Sequence, residues 1–441
     1  MSERDQDNNA ENGPASASAP ATMGQEVPGS ALPHAESVDA AALRTLRLRA
    51  PTPTLGTALV LSGGGARGAY QVGVLRGITD ILTKAGRLKP GSPSPFGILT
   101  GTSAGAINAA ALAAQADDWA TGMDGLEHIW SSFSADQVYR ADALAVFSSG
   151  ARWLSALSLG WALARRQRFK PRSLLDNGPL ANLLAHRIRF KRIPSMLQQG
   201  HLHALSVCAF SYSAGVHLSF MQAAAPLKPM SRSQRMAVPA TIGLDHLLAS
   251  SAIPFVFPAR AVQLAHGLEY CGDGAMRQNA PLSPALHLGA QKLLVIGAGR
   301  MLEPQVVPAA RPGYPTVAAV AGHALSSIFL DALPADVERL QRINRTLSLL
   351  PEKDRERSGL RPVRCLLIAP SERLDDIAQR HVSSLPIAVR GLLRTLGADD
   401  VKGGMLASYL LFQAAYTAEL MRLGRHDAQA HAGEVLAFFN S

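Results

Sequence analysis

The sequence predicts an α/β fold on a mainly parallel sheet, and three observations carry that prediction. Thr57–Gly68, TALVLSGGGARG, is a β-prone apolar run that ends in a glycine-rich turn and leads into a helix-like stretch. Phe96–Gly105, FGILTGTSAG, repeats the pattern. Two later runs, Lys292–Gly297 and Val363–Ala369, read as further core strands. Strand, helix, strand, helix in succession needs right-handed crossovers between parallel strands, and so a layered fold.

Taken in order, residues 1–56 are rich in Ala, Ser, Pro, Asn and Gly without apolar periodicity and read as a disordered tail. Ala58–Leu61 is the first strand. Gly68–Lys84 is its helix, with Tyr70, Val74, Leu75, Ile78, Ile81 and Leu82 as the apolar stripe. Lys89–Pro95 is a loop, Phe96–Leu99 the second strand and Ala104–Ala116 a small-residue helix. Asp136–Arg166 reads as helical, with Trp153 and Trp161 on its apolar side. Two basic blocks follow: Arg165, Arg166, Arg168, Lys170 and Arg172, then Arg187, Arg189, Lys191 and Arg192. His203–Met221 alternates as a hairpin turning near Ser213-Ala214-Gly215. Leu244–Ser251 is a short helix ended by Pro254, and Leu268–Gly274 leads into a turn. Met405–Gly424 is an apolar-striped helix, and His426–Phe439 another. The expected division is a main domain over residues 57–286, with 287–441 completing the core and adding a helical extension.

Composition narrows the function classes. With 47% hydrophobic and 17% charged residues the chain can bury a sizeable core. The three cysteines, Cys208, Cys271 and Cys365, are widely spaced and show no metal-ligand pattern. They read as small buried residues in a reducing compartment. The net charge of +10 lies outside the slightly acidic first 50 residues and suits an anionic lipid surface. Aromatic residues are only 5% and do not interleave with Lys or Arg, which argues against nucleic acid as partner. The polar N-terminus lacks the apolar core of a secretory signal, and no run matches a spanning helix. The expectation is a cytoplasmic protein that touches membranes peripherally. The apolar segment around Trp153–Leu163 is a candidate lid or docking surface.

The chemistry concentrates in three motifs. Gly101-Thr102-Ser103-Ala104-Gly105 is a G-x-S-x-G, a spacing that lets a serine sit on a sharp strand-to-helix turn. Gly63-Gly64-Gly65-Ala66-Arg67-Gly68 brings backbone N–H groups to a helix start, where they can hold an oxyanion. Asp273 lies between Gly272 and Gly274, so a turn can present its carboxylate to a cleft. A serine hydroxyl becomes a useful nucleophile when a neighbour takes its proton. A carboxylate can do so where partial desolvation raises its basicity.

In this order the motifs resemble the patatin-like phospholipases, lipid acyl hydrolases with a serine–aspartate dyad. The family's G-G-G-x-[R/K]-G matches Gly63–Gly68, its G-x-S-x-G matches Gly101–Gly105 and its D-G-[A/G] matches Asp273-Gly274-Ala275. Ser250–Pro258, SSAIPFVFP, is similar to the stretch that precedes the family aspartate. The resemblance implies a three-layer α/β/α fold, Ser103 as nucleophile and Asp273 as general base. It implies an oxyanion hole over Gly63, Gly64, Gly65, Arg67 and Gly68, with Gly101 and Gly105 flanking the nucleophile. It further implies a phospholipid or other acyl-lipid substrate, and no metal or organic cofactor.

Three competing readings use the same residues. A Ser-Asp-His triad could recruit His287, His323, His381, His426 or His431, although none sits in a matching local motif. Gly63, Gly65 and Gly68 also spell G-x-G-x-x-G, but the acid of a dinucleotide site is missing, because Asp80 lies inside the helix. A non-catalytic membrane-binding module would leave Ser103 and Asp273 without a task.

Overall fold

The computed structural model describes residues 56–140, 173–227, 231–232, 234–299, 317–330, 332–395 and 404–440. The first strand, β1 (Thr57–Leu61), pairs in parallel with β2 (Ile98–Thr102), placing Leu61 opposite Gly101. A 3-10 turn (Gly65–Arg67) and α1 (Gly68–Lys84) connect them. After β2 come α2 (Ala104–Ala113), α3 (Trp119–Ser131), α4 (Gly178–Arg187) and α5 (Arg192–Gln198). The hairpin β3 (Ala204–Ser211) and β4 (His217–Ala223) follows, then β5 (Ser231–Arg232) and β6 (Arg235–Pro239). Next are α6 (Leu244–Ser250), β7 (Arg260–Leu264), β8 (Gly267–Asp273), α7 (Ser283–His287) and β9 (Lys292–Ile296). Then come α8 (Val317–Leu330), α9 (Ala332–Leu349), α10 (Glu352–Ser358) and β10 (Arg364–Ile368). The last helices are α11 (Leu374–His381), α12 (Ile387–Thr395), α13 (Gly404–Leu410), α14 (Ala414–Ala430) and α15 (Ala432–Asn440).

The sheet runs β10-β9-β1-β2-β3-β4-β6-β5, and β8 pairs with both β3 and β7. The strands from β10 to β3 are all parallel, while β4 and β8 run against β3. Side chains alternate across the pleat. Leu59, Leu61, Leu99 and Leu205 join the core beneath α1, α2 and α3, whereas Ala58, Val60 and Ile98 join the core beneath α7 and α9. The architecture is a three-layer α/β/α fold with a mostly parallel sheet.

α14 packs directly on α1. A Cβ on Gly73 would lie 2.0 Å from the Met421 carbonyl oxygen, and one on Gly424 2.2 Å from that of Tyr70, so only glycines allow this approach. Arg425 closes the pair on Asp80 at 2.7 Å, which gives that acid a structural partner. Among the described residues no helix is long and apolar enough to cross a membrane.

Several boundaries differ from the sequence reading. The second strand starts two residues late and runs through Thr102, because pairing with β1 and β3 holds Gly101 and Thr102 extended. β7, which the sequence reading passed over, pairs with β8 to form a hairpin. The helix expected over Met405–Gly424 is two helices, α13 and α14, that break at residues 411–413. Phe412 turns into an aromatic cluster with Trp130, Phe133 and Tyr139 there, and the Tyr139 hydroxyl bonds the Leu410 carbonyl at 3.0 Å. Cys208 and Cys271 are buried, and burial pushes both thiols up to about 11. Arg192, expected in a basic face, bonds Asp117 at 2.5 Å and Gln115 at 2.6 Å. The expected tail over 1–55, the Trp153–Leu163 segment and the first basic block, Arg165 to Arg172, lie outside the described residues.

Candidate active site

Ser103 stands between the end of β2 and the first turn of α2, at φ 55 and ψ −125. That conformation is unfavourable for a residue with a Cβ and persists only where the surroundings enforce it. Here they do so through close backbone contacts. A Cβ on Gly101 would lie 2.2 Å from the Gly105 carbonyl oxygen, and one on Gly105 2.3 Å from that of Leu61. The turn is therefore pressed against the end of β1, where the glycine loop begins.

Asp273 is the last residue of β8 and is buried. β2 pairs with β3 up to Thr102 opposite Cys208, and β8 then takes over the same edge, with Asp273 opposite Ala209. The two motifs meet because one strand replaces the other where β2 turns away. Gly274 permits this, since a Cβ there would lie 2.1 Å from the Cys208 carbonyl oxygen. The N–H of Ala275, itself buried, donates to Asp273 Oδ1 at 2.9 Å, and Oδ2 is buried without a hydrogen-bond partner. Burial pushes the carboxyl up to about 7, against the pull of the Ala275 N–H and of the Ser103 hydroxyl.

The glycine loop lies between β1 and α1. Gly63 lies against the ring of Phe329 from α8 and against the Ser103 Cβ. Gly64 precedes the 3-10 turn, Gly65 has φ +56 and faces the Tyr409 carbonyl, and Gly68 starts α1 against Ala104. Arg67 is buried and points away into the C-terminal helices. Its Nε donates to Ser408 Oγ at 2.9 Å, its Nη2 to Asp375 at 2.5 Å, and its guanidinium stacks 4.2 Å from the Tyr409 ring.

This network makes a prediction. Asp375→Ala leaves a buried guanidinium with Ser408 and Tyr409 but without a carboxylate, and since Asp375 is 21% exposed the expected loss is about 2 kcal/mol rather than the full value of a buried pair. Asp376→Ala, whose 3.9 Å pair with Arg373 is exposed, is expected to be near neutral. Urea unfolding of the two variants beside wild type checks both.

Sequence reasoning missed Phe329, Asp375, Ser408 and Tyr409, because nothing local to them marks contact with the glycine loop. Of the histidines open to a triad, His381, His426 and His431 face Glu419, Asp427 and Glu434 at 2.7, 3.4 and 2.8 Å. His287 ends α7 and His323 lies in α8.

An α/β sheet with a serine on a strained turn and a carboxylate at the end of the neighbouring strand is a hydrolase-like arrangement. The patatin-like phospholipase family model matches residues 59–286, and the chain belongs to that family. Among solved structures the chain is similar to VipD from Legionella pneumophila. The identity is 12% and the TM-score 0.30, over 83% of this chain and 66% of that one. The chain therefore spans just under two thirds of that neighbour's length. No curated protein matches the chain.

Proposed function

We propose that the protein is a lipid acyl hydrolase of the phospholipase A or lysophospholipase type, with Ser103 as nucleophile and Asp273 as general base. One observation carries the reading. A buried carboxylate, lifted to about 7 by burial and pulled back by the Ser103 hydroxyl, stands beside that serine on its strained strand-to-helix turn. An ordinary turn-capping aspartate has no reason to be kept dry.

In the proposed reaction Ser103 Oγ attacks the ester carbonyl carbon as its proton passes to Asp273. The tetrahedral oxyanion collapses, the leaving alcohol takes the proton back from Asp273, and an acyl-serine remains. Water then gives a proton to Asp273 and attacks the acyl carbon. Ser103 leaves with that proton as the fatty acid departs. The N–H groups of Gly64 and Gly65 have no acceptor among the described residues, which suits them to the oxyanion. Donors of this kind each lower the barrier by about 3 kcal/mol. Arg67 acts on the loop through its C-terminal contacts, and Gly63 and Gly68 let the loop fold tightly.

The substrate is a phospholipid or another acyl lipid, met at an anionic membrane from the cytoplasm. The net charge of +10 supports that contact. The test is fluorophosphonate labelling together with fatty-acid release from mixed anionic vesicles. Wild type is expected to label and to release fatty acid. Ser103→Ala is expected to lose both, and Asp273→Ala to lose release. Labelling that survives in Ser103→Ala places the nucleophile elsewhere, and no labelling in wild type favours a non-catalytic membrane module.

A further inference from the structure

Ser250 is the last residue of α6 and is fully buried. Its Oγ accepts the main-chain N–H of Ser103 at 2.9 Å. Its carbonyl oxygen accepts the N–H of Gly274 at 3.2 Å, and two residues later the Ala252 carbonyl accepts the N–H of Asp273 at 3.0 Å. One short segment therefore grips the main chain on both sides of the candidate dyad. To the aspartate turn it offers backbone acceptors. To the serine turn it offers a side-chain oxygen.

That oxygen has a specific task. Ser103 lies between β2 and α2, and its N–H donates to the Ser250 side chain rather than to a main-chain carbonyl of either element. Without Ser250 Oγ it is a buried donor with no partner, which is unfavourable and is relieved by rotating the turn. Any such rotation swings Ser103 Oγ relative to Asp273, which stays fixed by Ala252 and by the Ser250 main chain. Ser251 provides the contrast. It is also buried, yet its Oγ bonds only the Leu247 carbonyl of its own helix, at 2.7 Å.

We infer that Ser250 is a positioning residue for ester hydrolysis, its hydroxyl setting the angle of the nucleophile turn against the carboxylate. The inference rests on the Ser103–Asp273 reading above. A displacement of about 1 Å at a nucleophile lowers turnover on the order of 100-fold. The loss falls on kcat, because the hydrogen bonds of Ser250 go to the main chain of Ser103 and Gly274 and not to a substrate-facing side chain.

The experiment compares wild type, Ser250→Ala, Ser251→Ala and Ser103→Ala on a soluble p-nitrophenyl ester. It reads kcat, KM, the second-order rate of fluorophosphonate labelling and the melting temperature. Ser250→Ala is expected to lose about 10- to 100-fold in kcat and in labelling rate with KM within about twofold. Ser251→Ala is expected to keep kcat within about twofold while losing a similar buried hydrogen bond's worth of stability. Equal kcat in the two variants overturns the inference, because the hydroxyl is then merely structural. If Ser250→Ala does not fold, Ser250→Cys keeps the volume and a weaker acceptor, and its kcat is expected to fall below that of wild type. Wild-type turnover in Ser250→Cys overturns the inference as well. Turnover that survives in Ser103→Ala removes the dyad reading itself. An inactive Ser103→Ala beside a fully active Ser250→Ala removes only the role given to Ser250.

Discussion

Asp273→Asn is expected to cut turnover steeply and to stabilise the protein at alkaline pH in the same step. The carboxyl sits in a dry site, and burial lifts it from 3.8 to about 7. The folded state therefore holds the proton more tightly than the unfolded chain does. Stability from this group is complete below the unfolded value and is lost as pH rises toward 7. Above that the native state carries a buried charge that it holds at a disadvantage of roughly 4 kcal/mol. Asparagine removes the charge but leaves an amide to satisfy, so the expected gain at pH 8 is smaller, about 2 kcal/mol. Unfolding by urea at pH 5 and pH 8 reads it. The gap between variant and wild type should open with rising pH. In the proposed mechanism turnover runs the other way, because only the ionised carboxylate can take the serine proton. Wild-type kcat/KM is expected to climb through pH 7 and level off above it, and the variant to fall about 100- to 10,000-fold on the plateau. A variant that is less stable than wild type at pH 8 contradicts the buried charge, whatever its activity.

What could be read from the sequence follows from how local each signal is. The bounds of α1 were legible to the residue, because a glycine turn precedes Gly68 and the apolar stripe ends at Leu82, with only the polar Thr83 and Lys84 before the helix stops. The serine turn was legible because both glycines that it needs lie within two residues of Ser103. The partnership with Asp273 came from motif order, but its geometry did not. It depends on β8 replacing β2 along β3, a pairing that no local pattern encodes. The grip of Arg67 on Asp375 and Ser408 was hidden for the same reason, since an arginine in a glycine loop does not reveal which distant helix holds it. The break between α13 and α14 was invisible for a different one. Leu411, Phe412 and Gln413 include no glycine or proline, and the chain leaves the helix there because Phe412 gains more among Trp130, Phe133 and Tyr139 than from one more helical turn. Ser250 read as part of a short helix and as the start of the stretch that resembles the one before the family aspartate, with nothing in either reading to join its hydroxyl to Ser103.

Gly105→Ala is expected to inactivate the protein with a single methyl group. Alanine is ordinarily the better helix residue, and at Gly125 of α3, where a Cβ meets nothing within 4 Å, the same change should stabilise by about 0.5–1 kcal/mol. At Gly105 the added carbon would lie 2.3 Å from the Leu61 carbonyl oxygen and 2.6 Å from that of Ser62. Neither contact can be relieved by turning a side chain, because both partners are main chain at the end of a central strand. α2 must move away from β1, and it takes Ser103 with it. The glycine loop does not follow, since Arg67 ties it to α11 and α13. The proposed nucleophile and the proposed oxyanion donors therefore separate, and a shift of about 1 Å is enough to lower kcat/KM 100-fold or more. Overpacking itself destabilises by about 1–3 kcal/mol, so a folded but inactive protein is the expected outcome. Melting temperature and fluorophosphonate labelling of Gly105→Ala beside Gly125→Ala give the comparison. Near-normal labelling in Gly105→Ala means that the contact between the serine turn and the end of β1 does not set the geometry of the site.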